Sequence, residues 1–266
     1  MPRKSGTGLR FIDSHVHLGD YEDSRQELAF ALASSGLLVT AGTGARDSAK
    51  GATLSRGNPS LVRAFVGVHP SEAEREAKPD WLEGLLHEAA GVGEIGLDPK
   101  YSAVGGDSAQ MGLLRFQLEL AEKAGKPVQV HSRGAERECL EVLGTFSLKA
   151  VLLHWFQGED ALLGADRGGY YVSFGPALLV SKKLRRMASA WDREHILVES
   201  DGPVSFSALG GHGGSWLVPS VVFRLAELFG SPFGETADSI VRNGLEFLGE
   251  GGHGHSTTEA DDPSKA

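Results

Sequence analysis

Eight short apolar runs, each ending in polar residues and each parted from the next by a longer segment, set the strongest limit on how this chain can fold. They are Arg10–Val16, Leu37–Ala41, Val62–Val68, Gly91–Leu97, Pro127–His131, Ala150–Trp155, Tyr170–Phe174 and Ile196–Glu199. Most are continuously apolar, as expected of parallel strands covered on both faces; half-buried strands would alternate. The intervening segments carry helical signals. Asp107 or Ser108 can cap a helix from Ala109 to Ala124 whose Met111, Leu114, Leu118 and Ala121 share a face; Gly125 then ends it and Pro127 opens the next strand. Trp216–Leu228 places Val218, Val221, Val222, Leu225 and Leu228 on one side, while Ser181–Ala190 has a less clear period. Strand alternating with helix gives a parallel sheet with right-handed crossovers. Eight such strands in one unit of 266 residues predict an α/β fold, a single (β/α)8 TIM barrel, over an open sheet.

No internal repeat and no linker divides the chain. The reading is an N-terminal extension over 1–10, a barrel domain over 11–249 and a tail over 250–266 that lacks large apolar residues and reads as disordered. His253 and His255 in that tail read as solvated. No run of 18 or more apolar residues is present, and Met1–Arg10 lacks the apolar core of a secretory signal. Cys139 is the sole cysteine, which excludes an internal disulfide and a cysteine-rich zinc site and fits a reducing, cytoplasmic compartment. The net charge of −9 argues against broad, unspecific binding of nucleic acid but leaves room for local phosphate recognition by a metal centre.

Active sites of a (β/α)8 barrel lie at the C-terminal strand ends. Here the candidate strands end in FIDSHVH, FVGVHP, GEIGLD, VQVHSR, LLHWFQG and LVESDGP, and five of the ten histidines fall within these stretches. His15 and His17, two apart, face one side of a strand and can hold one ion through neutral imidazoles; taken alone, the pair fits two core or surface histidines equally well. Glu94 interrupts an apolar run, where an unpaired carboxylate is costly to bury. A cation relieves that cost and can be bridged by it; a buried pair with Arg or Lys is the alternative. His131 and His154 each follow a strongly apolar run at equivalent ends of the fifth and sixth strands, so ligation competes with a hydrogen-bonded core role. Asp201 follows the last strand and can ligate or accept a proton, with a turn before Gly202–Pro203 as its alternative; Glu199, two residues earlier, ranks behind it.

In order, FIDSHVHL, GVHP, GEIGLD, HSR, LLHWFQG and ESDGP resemble the motifs of the TatD family of metal-dependent hydrolases, and NGLEFLG from Asn243 to Gly249 is similar to that family's C-terminal helix. The likeness spans about residues 11 to 249. It implies a barrel with one or two divalent ions (zinc, manganese or magnesium) and a deoxyribonuclease or related phosphoesterase activity, of the 3′-5′ exonuclease type. By that likeness His15, His17, Glu94 and Asp201 hold one ion, and Glu94, His131 and His154 hold a second with Glu94 bridging. Glu94 and Asp201 act in catalysis, with Asp201 accepting the proton of the attacking water. His69 of GVHP and Arg133 of HSR contact the substrate phosphate. DNA or a small phosphoester is the implied substrate; no membrane and no obligate protein partner is indicated.

Three departures stand out. The segment Gly210–Ser220 reads GGHGGSWLVPS, without the arginine of the family's Arg-Asn-x-Pro type. The loop Pro99–Asp107 is glycine-rich. Trp155 stands where cysteine is commoner, and reads as core packing in preference to a stacking platform for a base. The rival functions are an amidase or lactonase of the same barrel type, which would use a carboxylated lysine bridge, and a barrel that keeps a metal site without catalysis.

Overall fold

The computed structural model describes residues 8–102, 107–158, 169–206 and 211–251. The expectations for the tail from 252 on, including His253 and His255, for the middle of the Pro99–Asp107 loop and for Gly210 lie outside the described residues.

Eight parallel strands form one sheet in sequential order: β1 (Phe11–Val16), β2 (Gly36–Ala41), β3 (Val62–Val66), β4 (Gly91–Gly96), β5 (Val128–His131), β6 (Val151–Leu153), β7 (Tyr171–Phe174) and β8 (Ile196–Val198). Each predicted run corresponds to one strand; β2 begins one residue earlier than expected, at Gly36, and the other seven are shorter than the runs by one to three residues. Between β8 and β1 there is no ladder among the described residues. The barrel is closed there by Ser14 Oγ donating to Val198 O (2.6 Å), Ser200 N donating to Asp13 Oδ1 (2.9 Å) and Asp201 N donating to His15 O (3.0 Å). The seam thus runs through the first and last motifs, and its hydrogen bonds set how Asp201 meets His15.

The described helices are α1 (Arg25–Ser34), α2 (Ala45–Gly57), α3 (Trp81–Leu86), α4 (Asp107–Ala124), α5 (Glu136–Leu143), α6 (Lys182–Ala190), α7 (Val218–Phe229) and α8 (Phe233–Leu248). Helix α4 starts at Asp107 and buries Leu114, Leu118 and Ala121 as predicted, with Leu113 and Leu120 added. The weak period of Ser181–Ala190 hides a well-capped helix: Ser181 Oγ accepts from Leu184 N, and Leu184, Met187 and Ala188 are buried. The Trp216 segment enters its helix through a 3-10 turn, Ser215–Leu217. On α8, Phe247 stacks on Phe65 of β3 at 5.7 Å and meets Tyr171 of β7 edge-on. Asn243 ties the same helix to β8 by donating to the carbonyls of Arg193 and Ile196. The strands are almost wholly buried, and one continuous apolar core runs through the barrel and out to the helices. A fold so packed at its strand starts leaves the strand ends free to carry chemistry. Among the described residues no helix is long and apolar enough to cross a membrane.

Candidate metal centre

Two irregularities in the parallel ladders fall beside the donor residues. The β1–β2 register shifts between Asp13 and Val16, around His15, and the β4–β5 register shifts between Val92 and Ile95, around Glu94. Local bulges of this kind re-aim side chains. Strand β4 tolerates its distortion because it is glycine-rich. A Cβ on Gly96, whose φ is +147°, would fall 1.8 Å from the carbonyl oxygen of His131, and one on Gly93 would fall 2.8 Å from Gln129 Cβ. Those glycines bring β4 against β5 closely enough for Glu94 and His131 to meet.

The six predicted ligands converge. His15 Nε2 and His17 Nε2 are 3.1 Å apart. Glu94 Oε2 stands 3.5 and 3.4 Å from them, and Asp201 Oδ1 stands 3.7 and 3.3 Å from them. Four donors bonded at 2.0–2.1 Å to one tetrahedral ion stand about 3.3–3.4 Å from each other. These five separations bracket that value. The other oxygen of Glu94, Oε1, faces a different set: His131 Nδ1 at 2.8 Å, His154 Nε2 at 3.4 Å and His69 Nε2 at 3.8 Å. Glu94 therefore points one oxygen at each of two histidine groups, the arrangement of a bridging carboxylate. Among the described residues no Arg or Lys pairs with Glu94, against the alternative of a buried Glu94–Arg or Glu94–Lys pair; its neighbours are imidazoles.

The outer nitrogens settle the tautomers. Gln129 Nε2 donates to Ser14 O (2.8 Å), so its Oε1 accepts from His15 Nδ1 (2.8 Å). Ala41 O can only accept, and it lies 3.3 Å from His17 Nδ1. With both imidazoles neutral the protons sit on Nδ1 and two Nε2 lone pairs face each other across two carboxylates, a repulsive cluster unless a proton or a metal cation stands among them. His154 gives Nδ1–H to Glu199 Oε2 (3.0 Å), and His131 gives Nε2–H to Asp98 Oδ2 (2.9 Å). Each candidate ligand histidine thus carries an outer acceptor that orients it, the arrangement metal-ligating imidazoles use. The donor set fits a divalent ion such as zinc, manganese or magnesium.

Electrostatics point the same way. Burial opposes charge on His17, but Asp201 and Glu94 outweigh it and push the imidazole up to about 9. Burial also opposes charge on His154, and Glu199, Glu94 and Asp201 push it up to about 10. Burial pushes His15 down, and His69 down to about 4. Glu94 and Asp201, although buried, are held below the usual carboxylate range by the surrounding histidines, His154 foremost. The pocket demands positive charge.

The centre opens into a cavity of about 570 Å³. His69 lines it, with Nδ1 held 2.8 Å from Ser71 Oγ. Arg133 also lines it, half exposed, with its guanidinium 2.6 Å from Asp98 Oδ2 and over the ring of Tyr101 at 5.4 Å. Trp155 departs from the core role expected of it. It is only partly buried, lines the cavity, and has a φ of +42°. Asp201 has a φ of +51°, so two of the three non-glycine residues with positive φ among the described residues belong to this site, where such strain is tolerated for positioning.

Four residues were missed by the sequence reading: Asp98, Gln129 and Glu199, which orient histidines, and Asp13. Glu199 had been weighed only as a rival ligand. It instead sits behind His154 and also accepts from Ser173 Oγ (2.5 Å) and Trp155 N (3.1 Å). Asp98 closes GEIGLD four residues after Glu94, a spacing that was visible. In the segment that lacks the arginine, Ser215 donates Oγ–H to Asp13 (2.7 Å) and N–H to Glu27 (2.9 Å), joining two buried carboxylates.

A (β/α)8 barrel with a histidine–carboxylate cluster at its strand ends is the architecture of a metal-dependent hydrolase. Comparison with known proteins makes the assignment specific. The family described as TatD related DNase matches residues 12–249, and the chain belongs to that family. It is 32% identical to the 3′-5′ ssDNA/RNA exonuclease TatD of Edwardsiella piscicida, over 64% of this chain and 68% of that protein. It is 24% identical to deoxyribonuclease TATDN3 of Homo sapiens, over 92% and 96%. The crystal structure of the TatD homologue YjjV from Escherichia coli K12 superposes with a TM-score of 0.76 at 27% identity, covering 90% of this chain and 97% of that one.

Proposed function

We propose that residues 11–249 act as one hydrolase domain that cleaves phosphoester bonds at the ends of DNA or in small phosphoesters. His15, His17, Glu94 and Asp201 hold one divalent ion, and Glu94, His131 and His154 hold a second. The observation that carries this reading is Glu94, whose two carboxylate oxygens serve two separate histidine groups within 3.8 Å. Divalent ions in such a cluster supply Lewis-acid polarisation of a phosphoryl oxygen and make a water nucleophilic near neutral pH.

The chain's own residues do the rest. Asp201, held ionised by the histidines around it, accepts the proton of the attacking water. Arg133, half exposed at the cavity wall, offers a planar fork of N–H donors to the phosphate, with Asp98 fixing its position. His69 is kept neutral by burial and turns its Nε2 edge to the same space. The 3′-5′ direction is supported by the named activity of the Edwardsiella relative. No lysine is among the described residues lining the cavity, which disfavours an amidase with a carboxylated lysine bridge. Metal content and nuclease activity of purified protein, wild type against His131→Ala and Asp201→Ala, test the reading. Both variants are expected to lose metal-dependent cleavage, and retention of it by either ends the assignment.

A further inference from the structure

Trp155 carries two penalties that its packing does not explain. Its backbone is left-handed, a conformation an L-residue of this bulk rarely adopts, and it is pinned there by its own N–H donating to Glu199 Oε1 at 3.1 Å. Its indole N–H is buried with no acceptor in the protein, although buried tryptophans usually find one. Trp191 shares the unpaired N–H, but Trp191 is 3% exposed within the core, where it packs against Phe156. Trp155 instead forms a wall of the metal-centre cavity, its ring edge-on to His154 at 6.4 Å. Strain and unmet polar groups of this kind gather where a ligand completes the site.

The charge around the cavity narrows what that ligand is. Arg133 is the one guanidinium among the described lining residues, against the carboxylates of Asp20, Glu94, Glu136 and Asp201. That wall offers no row of cations along which a polymer backbone could run, so little affinity can come from phosphates beyond the scissile one. The cavity's size suits a single nucleotide. Trp155 and the exposed side chain of Val204 give it apolar surface, and Arg133 and His69 line the same cavity.

Resting on the phosphoesterase reading, we infer that Trp155 is a specificity-determining residue: its indole stacks on the base of the terminal nucleotide. Stacking of a base on an aromatic side chain contributes a factor on the order of 10 or more to affinity.

The experiment compares the metal-loaded wild type with Trp155→Phe and Trp155→Ala on two single-stranded oligonucleotides, one ending in a natural 3′ nucleotide and one in an abasic 3′ residue. Wild type is expected to show a KM on the order of 10-fold higher for the abasic end. Trp155→Ala is expected to raise KM on the natural end to that level, leave the abasic end unchanged and leave kcat within about two-fold; Trp155→Phe, which keeps an aromatic face, is expected to fall between. Quenching of tryptophan fluorescence by dAMP, expected in wild type and lost in Trp155→Phe, reads binding without turnover. Equal effects of Trp155→Ala on both oligonucleotides, or dAMP quenching that persists in Trp155→Phe, overturn the inference. If wild type cleaves neither oligonucleotide yet the dAMP quenching is lost in Trp155→Phe, the base site stands and the phosphoesterase reading falls.

Discussion

Replacing Glu199 by Gln tests whether the centre is held by its outer hydrogen bonds. Glu199 is fully buried, and its carboxylate accepts three times: from His154 Nδ1 and Ser173 Oγ at Oε2, and from Trp155 N at Oε1. Glutamine has the same shape but only one acceptor oxygen. If its NH2 takes the place of Oε2, it confronts two donors, and His154 can keep a bond only by moving its proton to Nε2, the nitrogen that faces Glu94 at 3.4 Å. If the amide is turned over, NH2 opposes the Trp155 N–H instead. Either way at least one charge-assisted bond is lost, about 1.5–3 kcal/mol. In a chain of this size that lowers the Tm of the metal-free protein by roughly 3–6 °C. Where the tautomer moves, a ligand lone pair goes with it, and affinity for the ion shared by His131 and His154 falls about 10–100-fold. Calorimetric titration with zinc or manganese reads the affinity of each site, and scanning calorimetry of the stripped protein reads the Tm. Two ions bound at wild-type affinity in Glu199→Gln would refute the claim that Glu199 decides which nitrogen of His154 serves the centre.

Three further outcomes follow from the same geometry. In metal-free protein His17 and His154, with folded values of about 9 and 10 against an ordinary 6.5, are protonated at neutral pH; metal loading at pH 7.5 should therefore release protons, seen as a buffer-dependent binding enthalpy, with affinity climbing as pH rises toward 10. Their stabilising contribution in stripped protein is complete below about pH 6.5 and fades as pH rises through 9 and 10. Asp13 titrates in a lower window: burial pushes its carboxyl up to about 7 against the hydrogen bonds of Ser200 and Ser215. Its stabilisation is thus complete below its ordinary value and lost as pH rises through 7, on the order of 4 kcal/mol at most. Asp13→Asn should cancel that slope in the wild-type-minus-variant difference of denaturation midpoints between pH 4 and 8. Finally, Gly96→Ala would set a Cβ 1.8 Å from His131 O at a φ of +147°, so it should unfold the protein at physiological temperature or, if the chain yields, separate Glu94 from His131 and abolish the second metal site in a titration; a variant with normal metal stoichiometry would show that β4 does not need the close approach.

The fold was legible because its signal is repeated and one-dimensional. Eight apolar runs each yielded a strand, since a strand buried on both faces leaves continuous apolar sequence whatever its neighbours are. The inner donors were legible for a related reason: a histidine or carboxylate inside such a run, as with Glu94 between Gly93 and Ile95, is out of place chemically and calls for an explanation. The outer acceptors had no such contrast. Gln129 and Asp98 look like any polar residue at a strand or its end, and Ala41 contributes a backbone carbonyl that every residue possesses. Their role depends on which strand lies beside which, and on a ladder shift of one residue around His15 and around Glu94 that no local pattern encodes. Trp155 was misjudged by the same logic. It closes a largely apolar run and precedes Phe156, and its backbone is left-handed just after β6, where its side chain lines the cavity.

The two ends of the barrel are under different demands. Away from the strand ends the packing is close: Phe247 stacks on Phe65, and a Cβ added to Gly244 would strike Ile12 at 2.5 Å. At the strand ends the chain gathers the Nε2 atoms of His15 and His17 at 3.1 Å, the buried carboxylates of Glu94 and Asp201 beside them, and left-handed backbone at Trp155 and Asp201. The facing nitrogens and carboxylates call for a cation among them, a proton on His17 in the metal-free protein or a divalent ion in its place. Local frustration gathered at one end of a well-packed barrel is what a site completed by metal and substrate requires. In the metal-free protein the proton on His17 fills the need for a cation at neutral pH, so removing His17 should weaken the stripped fold as well as end metal binding. His17→Phe, which leaves Glu94 and Asp201 facing an apolar ring, is the variant in which stripped-protein Tm at pH 7 and metal affinity are both expected to fall. A His17→Phe protein at least as stable as stripped wild type at pH 7 would mean that the proton on His17 does not hold the cluster together.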